Sequence, residues 1–320
     1  MENTQARYNE YSAYLKNKYG EKVYKLPVNL PGTCPNRDNT VGTGGCIFCD
    51  EEGAGFECLP NDISVLEQIQ KNKEFFVKRF NARKFFAYFQ AFSNTYCDLE
   101  MFKENITQAT QDKDIIGISI STRPDCINDR YLDFLNELKT EKNIEINIEL
   151  GLQTVNYHTL KKINRGHSLA EFLDAALKLK RRSIDMVAHL ILNLPWDDEI
   201  DVIECAKICS VLGVDFVKLH SLYIVKGTVL GDMYERREFE VISLEDYIAR
   251  VVLFLEYLDP GIVIQRLVGK GPQGNMHFCN WQTSWWKIKH RIGEVMAENN
   301  SHQGKRFNYT NGAAMKKFLL

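Results

Sequence analysis

Apolar segments alternate with amphipathic segments along most of the chain. Apolar residues, many of them β-branched, fill six short segments, at residues 23–30, 85–90, 115–121, 144–150, 186–192 and 214–220. Between these segments apolar residues recur at helical spacing, at residues 63–80, 99–111, 129–138, 169–180 and 200–212. Such spacing is typical of helices with one buried face. Buried strands separated by amphipathic helices predict right-handed βαβ units and a parallel sheet.

The number of strands favours a partial (β/α)6 barrel of the TIM type over a doubly wound sheet. Residues 262–267 follow a further amphipathic segment at 245–257 and are a candidate seventh strand. We therefore expect an α/β fold with the barrel at residues 23–268, an N-terminal extension at 1–22 and a C-terminal extension at 269–320. Because chemistry in such barrels gathers where the strands end, polar residues at those points are the first candidates for a site.

Composition and charge narrow the class of protein. The 320 residues carry a formal net charge of −2, and no apolar run is suited to a signal peptide or a membrane span. Nine cysteines, an odd number at irregular spacing, fit reduced thiols better than a disulfide framework. These features predict a cytoplasmic protein with no membrane association. The charge is uneven, since residues 270–320 hold eight lysines and arginines against two glutamates.

The segment CPNRDNTVGTGGCIFC places Cys34, Cys46 and Cys49 in one short loop. Three thiolates can hold three irons of a [4Fe–4S] cluster and leave the fourth iron open, whereas an electron-carrying cluster usually has four cysteine ligands. The three glycines in the second half of the loop favour a backbone with positive φ around such a cluster. The alternative is a zinc site completed by Cys58 or by a distant histidine, since structural zinc sites take four ligands.

The spacing C-x11-C-x2-C, at the start of a run of βα units, resembles the radical SAM superfamily, and within it the branch of the elongator catalytic subunit. The more familiar motif of the superfamily has three residues in the first gap, and the longer gap is typical of this branch. The segments FFAYFQAFSNTY, ISISTRPDC, IELGLQT, HLILNLPWD and VKLHSLYIVKGT extend the resemblance over nearly the whole chain. It points to small bacterial YhcC-type proteins, which include MnmL-type tRNA wobble-uridine modification enzymes.

The resemblance implies a radical SAM barrel with a [4Fe–4S] cluster on Cys34, Cys46 and Cys49 and with S-adenosyl-L-methionine on the open iron. One-electron reduction would then cleave this cofactor to methionine and a 5′-deoxyadenosyl radical, which abstracts a hydrogen atom from the substrate. The cofactor carries this chemistry, and the barrel positions it and excludes water.

The resemblance also implies cofactor contacts at the ends of the strands. In the family, exposed backbone groups after the second strand hold the methionine amino group, and here that position corresponds to Gln90, Ala91 and Ser93. The chain lacks the Gly-Gly-Glu sequence found there in many relatives. Glu149 and Gln153 match positions that hydrogen-bond the ribose or the methionine portion. For Glu149 the alternative is an ion pair with a lysine on a helix.

Two further polar residues near strand ends are candidates for cofactor or substrate contact. Arg123 either grips the cofactor carboxylate bidentately or forms a structural ion pair with Asp125. His220 lies close to the end of its strand and is a candidate for contact. His189 lies within an apolar strand, where we expect a hydrogen-bonded core histidine. No residue is assigned a catalytic role.

The C-terminal segment CNWQTSWWKIKHR, residues 279–291, interleaves tryptophans with cations. This pattern can hold unpaired RNA by base stacking and phosphate neutralisation. The alternative is a helix that closes the barrel, because Trp281, Trp285 and Ile288 have helical spacing. The phenylalanines of a second basic segment, residues 71–80, are expected to pack in the core.

Resemblance to the elongator branch implies tRNA as substrate, with the anticodon wobble uridine as target and an electron donor such as flavodoxin or ferredoxin as a second partner. The chain is too short for the acetyl-CoA-binding domain with which the elongator subunit builds its carboxymethyl group, so we expect a different reaction. Our hypothesis is conversion of carboxymethylaminomethyl-uridine to aminomethyl-uridine by hydrogen abstraction from the glycine-like methylene. The alternatives are a radical SAM enzyme acting on a small metabolite or peptide, and a non-enzymatic zinc-containing RNA-binding protein. The sequence predicts no oligomeric state.

Overall fold

Seven parallel strands form one curled sheet. The computed structural model describes residues 7–50, 53, 58–269, 271 and 274–318. The strands of the sheet and of a small antiparallel pair are β1 (Val23–Val28), β2 (Lys84–Phe89), β3 (Ile115–Thr122), β4 (Glu145–Gln153), β5 (Asp185–Ile191), β6 (Phe216–His220), β7 (Ile224–Val225), β8 (Val263–Arg266) and β9 (Met276–Phe278). The sheet has the order β1-β2-β3-β4-β5-β6-β8, and β7 pairs with β9. The α/β fold and partial barrel are confirmed, and the candidate seventh strand is present as β8.

Helices connect the strands and cover the outer face of the sheet. They are α1 (Tyr11–Tyr19), α2 (Val65–Phe80), α3 (Leu99–Ala109), α4 (Asp129–Lys142), α5 (Tyr157–Lys162), α6 (Leu169–Arg181), α7 (Glu199–Val211), α8 (Val229–Glu235), α9 (Leu244–Tyr257) and α10 (Trp285–Glu298). The periodicity does not predict α1, α5 and α8, since nine, six and seven residues are too few for a helical repeat. No helix in the described part of the chain is long and apolar enough to cross a bilayer.

Side chains alternate along the strands between an apolar outer face, which packs against the helices, and an inner face, which carries polar groups. On β4, Ile146, Ile148 and Leu150 are buried in the hydrophobic core with residues of the helices. Glu149 and Gly151, from the alternate positions, face the interior of the curl. Successive residues of a strand point to opposite faces. The main core therefore lies between sheet and helices. The interior of the curl holds polar groups towards the strand ends and a small apolar cluster of Val187, Phe216 and Val263, packed with Tyr11 and Tyr14, near the strand starts.

Both chain ends pack near the last strand of the sheet. Glu10 forms a parallel bridge to Ile264 on β8. The Gln303 side chain accepts from the backbone N–H of Asn9 at 2.9 Å and donates to two carbonyls of the turn before β8, at 2.7 and 2.8 Å. The ends thus cover part of the open edge of the barrel. The division of the chain at residues 22/23 and 268/269 stays a prediction.

Replacing Gln303 with alanine should lower the free energy of unfolding by about 2 kcal/mol, because one buried and two partly buried backbone groups lose their partner. Urea unfolding followed by circular dichroism measures the change. The matched control is Gln111→Ala, at an exposed position after α3. A loss at Gln303 no larger than about 0.5 kcal/mol, the size expected at a surface position, would contradict this role.

Candidate functional site

A cavity opens at the carboxyl ends of the parallel strands. It has a volume of about 580 Å³. Nine of the ten residues proposed from the sequence line it, namely Cys34, Cys46, Cys49, Gln90, Ser93, Arg123, Glu149, Gln153 and His220. Ala91 is buried and lies outside the described wall, and its carbonyl accepts a hydrogen bond from the Asn94 side chain at 3.0 Å. The structure thus brings the candidate residues together, while their individual roles stay predictions.

The cysteine loop is shaped by tight turns. The backbone N–H of Cys49 donates to the carbonyl of Cys46 at 2.9 Å, so these two residues share one turn. Gly44 and Gly45 have φ of 77° and 81°, in the left-handed region that glycine favours. Gly42 lies outside that region and is needed for space, since a Cβ there would lie 2.2 Å from a buried asparagine amide oxygen. The expectation of positive φ is correct for two glycines and wrong for Gly42.

A buried arginine and a buried asparagine face the Cys46 sulfur. Arg165 Nη1 lies 3.5 Å from this Sγ, and Asn36 Nδ2 lies 3.8 Å from it. Arg165 also donates from Nη2 to the carbonyl of Gly151 at 2.7 Å, which ties the cysteine loop to the end of β4. A hydrogen bond from the Cys49 thiol, aided by the charge of Arg165, outweighs burial and lowers the pKa of Cys46 to about 5. The same contact raises the pKa of Cys49 well above its ordinary value, so the pair favours the thiolate at Cys46, which is the form that binds metal, and the thiol at Cys49.

Arg123 forms an ion pair with Asp125. This ion pair is one of the two arrangements that were expected from the sequence. Its Nε and Nη2 donate to the two carboxylate oxygens at 2.8 and 2.7 Å, and its Nη1 donates to the carbonyl of Arg165 at 2.7 Å. The Arg123 side chain is 3% exposed. Because all three guanidinium nitrogens have partners, Arg123 braces the segment that carries Arg165. A direct grip on the cofactor carboxylate stays a prediction.

Glu149 is the anionic centre of the cavity. Its fully buried carboxylate contacts Nζ of Lys25, Nζ of Lys218 at 2.9 Å and Nε2 of His189 at 2.7 Å. Burial alone would raise the pKa of Glu149, but the charges of Lys218 and Lys25 hold it well below its ordinary value. The two lysines lie on β6 and β1, whereas the alternative considered from the sequence placed a lysine on a helix.

Several strand residues that were not predicted from the sequence complete the cavity wall. His189 was expected in the core but lines the cavity, and burial, followed by the charge of Lys218, lowers its pKa to about 4. Lys218 donates to the Tyr88 hydroxyl at 2.8 Å. Burial, together with the charges of Lys25 and Arg266, outweighs Glu149 and lowers the pKa of Lys218 to about 7. The available signal was the presence of basic residues inside otherwise apolar strands, since a buried charge needs a partner.

The ends of β4 and β6 direct Gln153 and His220 into the cavity. A register shift between Gly151 and Gln153, and a φ of 74° at Gln153, redirect the chain at this point. Burial, followed by the charge of Arg266, holds the pKa of His220 well below its ordinary value, so its imidazole is neutral. Arg266 Nη2 donates to Nδ1 of His220 at 2.6 Å. Contact of Gln153 and His220 with a cofactor stays a prediction.

The tryptophans of the C-terminal segment divide between core and surface. Trp281 packs on Tyr247 with ring centroids 5.0 Å apart, and its indole N–H donates to the carbonyl of Ile242 at 2.8 Å. Trp285 and Trp286 begin α10 and are 45% and 56% exposed. Trp281 lies before this helix, so the helical spacing does not extend to it. It therefore serves packing, and the other two remain available at the surface.

Two phenylalanines of α2 that were expected in the core lie at the surface. Phe75 and Phe80 are 51% and 45% exposed. The guanidinium of Arg79 lies 5.7 and 5.5 Å from their ring centroids. The expectation is wrong because α2 packs against β1, an edge strand, and part of its apolar face extends past the sheet.

Comparison with known proteins settles the family. The model of the radical SAM superfamily matches residues 32–208, and the model of the radical SAM C-terminal domain matches residues 214–298. The chain belongs to the radical SAM superfamily. It is 34% identical over 305 residues to YtqA of Bacillus subtilis, covering 95% of this chain and 94% of that protein. It is 32% identical over 278 residues to YhcC of Escherichia coli, covering 87% of this chain and 88% of that protein.

More distant similarities place this radical SAM protein in the elongator-like branch. Over 136 residues it is 27% identical to the tRNA uridine(34) acetyltransferase of Methanocaldococcus infernus, covering 42% of this chain and 24% of that protein. The structure of the archaeal Elp3 of Methanocaldococcus infernus with an N-terminal deletion superimposes with a TM-score of 0.68 at 17% identity, covering 88% of this chain and 64% of the other. At that identity the structural match shows the fold alone.

The superfamily uses a [4Fe–4S] cluster and S-adenosylmethionine, and the cysteine loop suits the cluster. Its three thiols line one cavity with room beside them for a further molecule. Among the described residues, no three His, Cys, Asp or Glu side chains close around a single ion. Membership of the radical SAM superfamily favours the cluster over the zinc alternative.

Serine substitution of Cys34, Cys46 or Cys49 should abolish the cluster, because each removes one of three sulfur ligands. Iron and sulfide analysis of anaerobically purified protein, with its visible absorption, measures the loss from about four irons per chain. Cys58→Ser and Cys126→Ser are the matched controls and should retain the iron. Full iron content in a loop variant, or its loss in Cys58→Ser, would contradict the assignment.

The buried histidine at position 189 should make stability depend on pH. Below the ordinary histidine pKa of about 6.5, the unfolded chain binds a proton at this position. The native state binds that proton only near pH 4, so the free energy of unfolding falls as the pH falls. Each pH unit in this range changes the free energy of unfolding by about 1.4 kcal/mol. Between pH 7 and pH 5 the free energy of unfolding should therefore fall by about 2 kcal/mol less in His189→Gln than in wild type. Urea unfolding at both pH values measures it, with the exposed His158→Gln as control. Equal losses in wild type and His189→Gln would refute this account.

Proposed function

We propose that this radical SAM enzyme converts carboxymethylaminomethyl-uridine to aminomethyl-uridine at the wobble position of tRNA. The observation that carries the proposal is the strand-end cavity, in which three thiols share one wall with a positively charged interior. The sequence similarity to a tRNA uridine(34) acetyltransferase supports tRNA as the substrate and uridine as the target.

An exposed aromatic surface lies at the same end of the barrel as the cavity. The helix α10 starts just after β9, which pairs with β7 directly beyond β6. Its first turn lies beside the end of β8, because Trp285 lines one small pocket with Leu267 and Val268, and both Trp285 and Trp286 are exposed. Lys287 Nζ lies 5.6 Å from the ring centroid of Trp286. Indole faces beside a cation suit the stacked bases and phosphates of an unpaired RNA loop.

The residues of the chain bind and orient the reactants in this proposal. When bound, the cluster and S-adenosylmethionine supply the power to abstract a hydrogen atom. Arg165 and Asn36 fix the sulfur of Cys46, and Gln153 and Ser93 line the space beside the thiols. In this proposal the wall orients the methylene between the amine and the carboxylate of the substrate, and this methylene loses a hydrogen atom. The substrate radical would then lose one electron, which returns to the cluster, and one water molecule would hydrolyse the resulting imine to aminomethyl-uridine and glyoxylate.

We further propose a cytoplasmic location and reduction by flavodoxin or ferredoxin. All nine cysteines are free thiols, as a reducing compartment requires. Radical SAM enzymes need a reductant. A small electron carrier would have to approach the cluster side of the molecule.

The reduced enzyme, incubated with S-adenosylmethionine and tRNA that carries carboxymethylaminomethyl-uridine, should yield aminomethyl-uridine and 5′-deoxyadenosine. Nucleoside digestion and mass spectrometry measure the first product, and chromatography the second. The matched control is tRNA with unmodified uridine at the wobble position, which offers no glycine-like methylene.

Formation of 5′-deoxyadenosine with an unchanged wobble nucleoside would contradict the proposal. The outcome would then favour a small metabolite or a peptide as substrate. Replacement of both Trp285 and Trp286 by alanine should raise the KM for tRNA at least about thirtyfold, because each stacked base contributes about 1 to 3 kcal/mol. Unchanged KM would remove RNA contact from the first turn of α10.

A further inference from the structure

The inner wall of the cavity carries a row of basic residues from neighbouring strands. In the register of the sheet, Lys218 on β6 is paired with His189 on β5 and with Arg266 on β8. Lys25, on the opposite edge strand β1, reaches the same carboxylate as Lys218. All four residues line the cavity. The row lies on the strands themselves, whereas the cysteines lie on the loop after β1.

Positive charge in this cavity exceeds negative charge. Among the described residues that line it, Glu149 is the one carboxylate, against six basic side chains, Lys25, Arg37, Arg123, Arg165, Lys218 and Arg266. Asp125 neutralises Arg123, and Arg37 and Arg165 lie beside the cysteine loop. Lys25 and Lys218 share Glu149 between them, and no carboxylate in the described part of the chain pairs with Arg266. A buried excess of cations favours an anionic ligand.

The groups around Arg266 offer hydrogen-bond donors that have no acceptor. Its Nε is buried without a partner among the described residues. Its Nη2 lies 2.6 Å from Nδ1 and 3.2 Å from Nε2 of His220, so one nitrogen of the neutral imidazole accepts from the guanidinium and the other carries the ring hydrogen. Leaving a buried donor unpaired costs about 1 to 3 kcal/mol. An acceptor placed here would satisfy these donors at once.

The shape of these donors suits a carboxylate. A guanidinium presents parallel N–H groups that match the two oxygens of a carboxylate. The Lys218 side chain, paired with Arg266 in the register of the sheet, adds a point charge beside it. A phosphate of the RNA backbone is a less suitable ligand. The backbone that carries it is too wide to enter a cavity of about 580 Å³ together with the side chain of one nucleoside.

We propose that Arg266, Lys218 and His220 form a carboxylate-binding site that holds the acidic end of the substrate side chain. This inference rests on the proposed function, because it takes the ligand to be the carboxymethyl group of carboxymethylaminomethyl-uridine. The site makes the enzyme select side chains that carry a carboxylate next to the C–H bond that reacts. It also fixes the methylene, which is one bond away from the bound carboxylate.

The test compares two anticodon stem-loop RNAs that differ in one group. One carries carboxymethylaminomethyl-uridine, and the other carries its uncharged carboxamide analogue. Equilibrium binding and KM are measured for wild type, Arg266→Gln, the charge-retaining Arg266→Lys, and the control Arg181→Gln, which changes an exposed residue at the far end of α6. Wild type and Arg181→Gln should prefer the carboxylate RNA about 10- to 100-fold, the range expected for a charge-assisted hydrogen bond.

Arg266→Gln should lose this preference by weakening the carboxylate RNA alone, and Arg266→Lys should restore part of it. Equal weakening of both RNAs in Arg266→Gln, or an undiminished preference, would overturn the carboxylate site. A second source of the same chemistry is the carboxylate of S-adenosylmethionine. If Arg266→Gln instead weakens S-adenosylmethionine binding and leaves the RNA preference intact, the site belongs to the cofactor and the proposal is wrong.

Binding of the free nucleoside separates this inference from the proposed function. Carboxymethylaminomethyl-uridine and its carboxamide are titrated into wild type and Arg266→Gln by calorimetry. Preference for the carboxylate that disappears in Arg266→Gln supports the site even if tRNA is not converted. Conversion of tRNA with equal use of both side chains supports the function and refutes the site.

Discussion

The interior of the half-barrel depends on the contacts of one carboxylate, Glu149. Two lysines and a histidine from three other strands meet at this side chain, which is fully buried. Without it, Lys25 and Lys218 would face each other in a medium of low dielectric constant, where like charges repel strongly. Glu149 thereby stabilises basic residues on the inner face of the sheet. Those residues determine which ligands the cavity can bind.

The cysteine loop depends on a second set of contacts, made by side chains far away in sequence. Arg123 binds the carbonyl of Arg165, and Arg165 in turn binds the carbonyl of Gly151 and faces the sulfur of Cys46. The side chain of Asn164 donates to the carbonyl of Gly45 at 2.8 Å. The segment after α5 therefore holds the loop in place against the ends of β3 and β4. This arrangement makes the thiols part of a rigid wall, as a cofactor site requires.

The sequence predicted a parallel sheet in a partial barrel, the cysteine loop and nine of the residues that line the cavity, because these depend on local periodicity and on short motifs. It did not predict Arg165 as a neighbour of Cys46, since the two are 119 residues apart and no local pattern joins them. It placed His189 in the core because a period-2 reading does not say that the inner face of an open barrel lines a cavity. Phe75 was expected in the core and lies at the surface for a similar reason, since exposure depends on where the sheet ends.

The central claim is that three cysteines hold a cluster whose fourth iron remains open to S-adenosylmethionine. The most direct measurement is the electron paramagnetic resonance spectrum of the anaerobically reduced protein, recorded with and without S-adenosylmethionine. The account predicts that saturating S-adenosylmethionine changes the spectrum, because a new ligand reaches the open iron. An identical spectrum in both samples would show that the protein itself closes the fourth position, and would contradict the account.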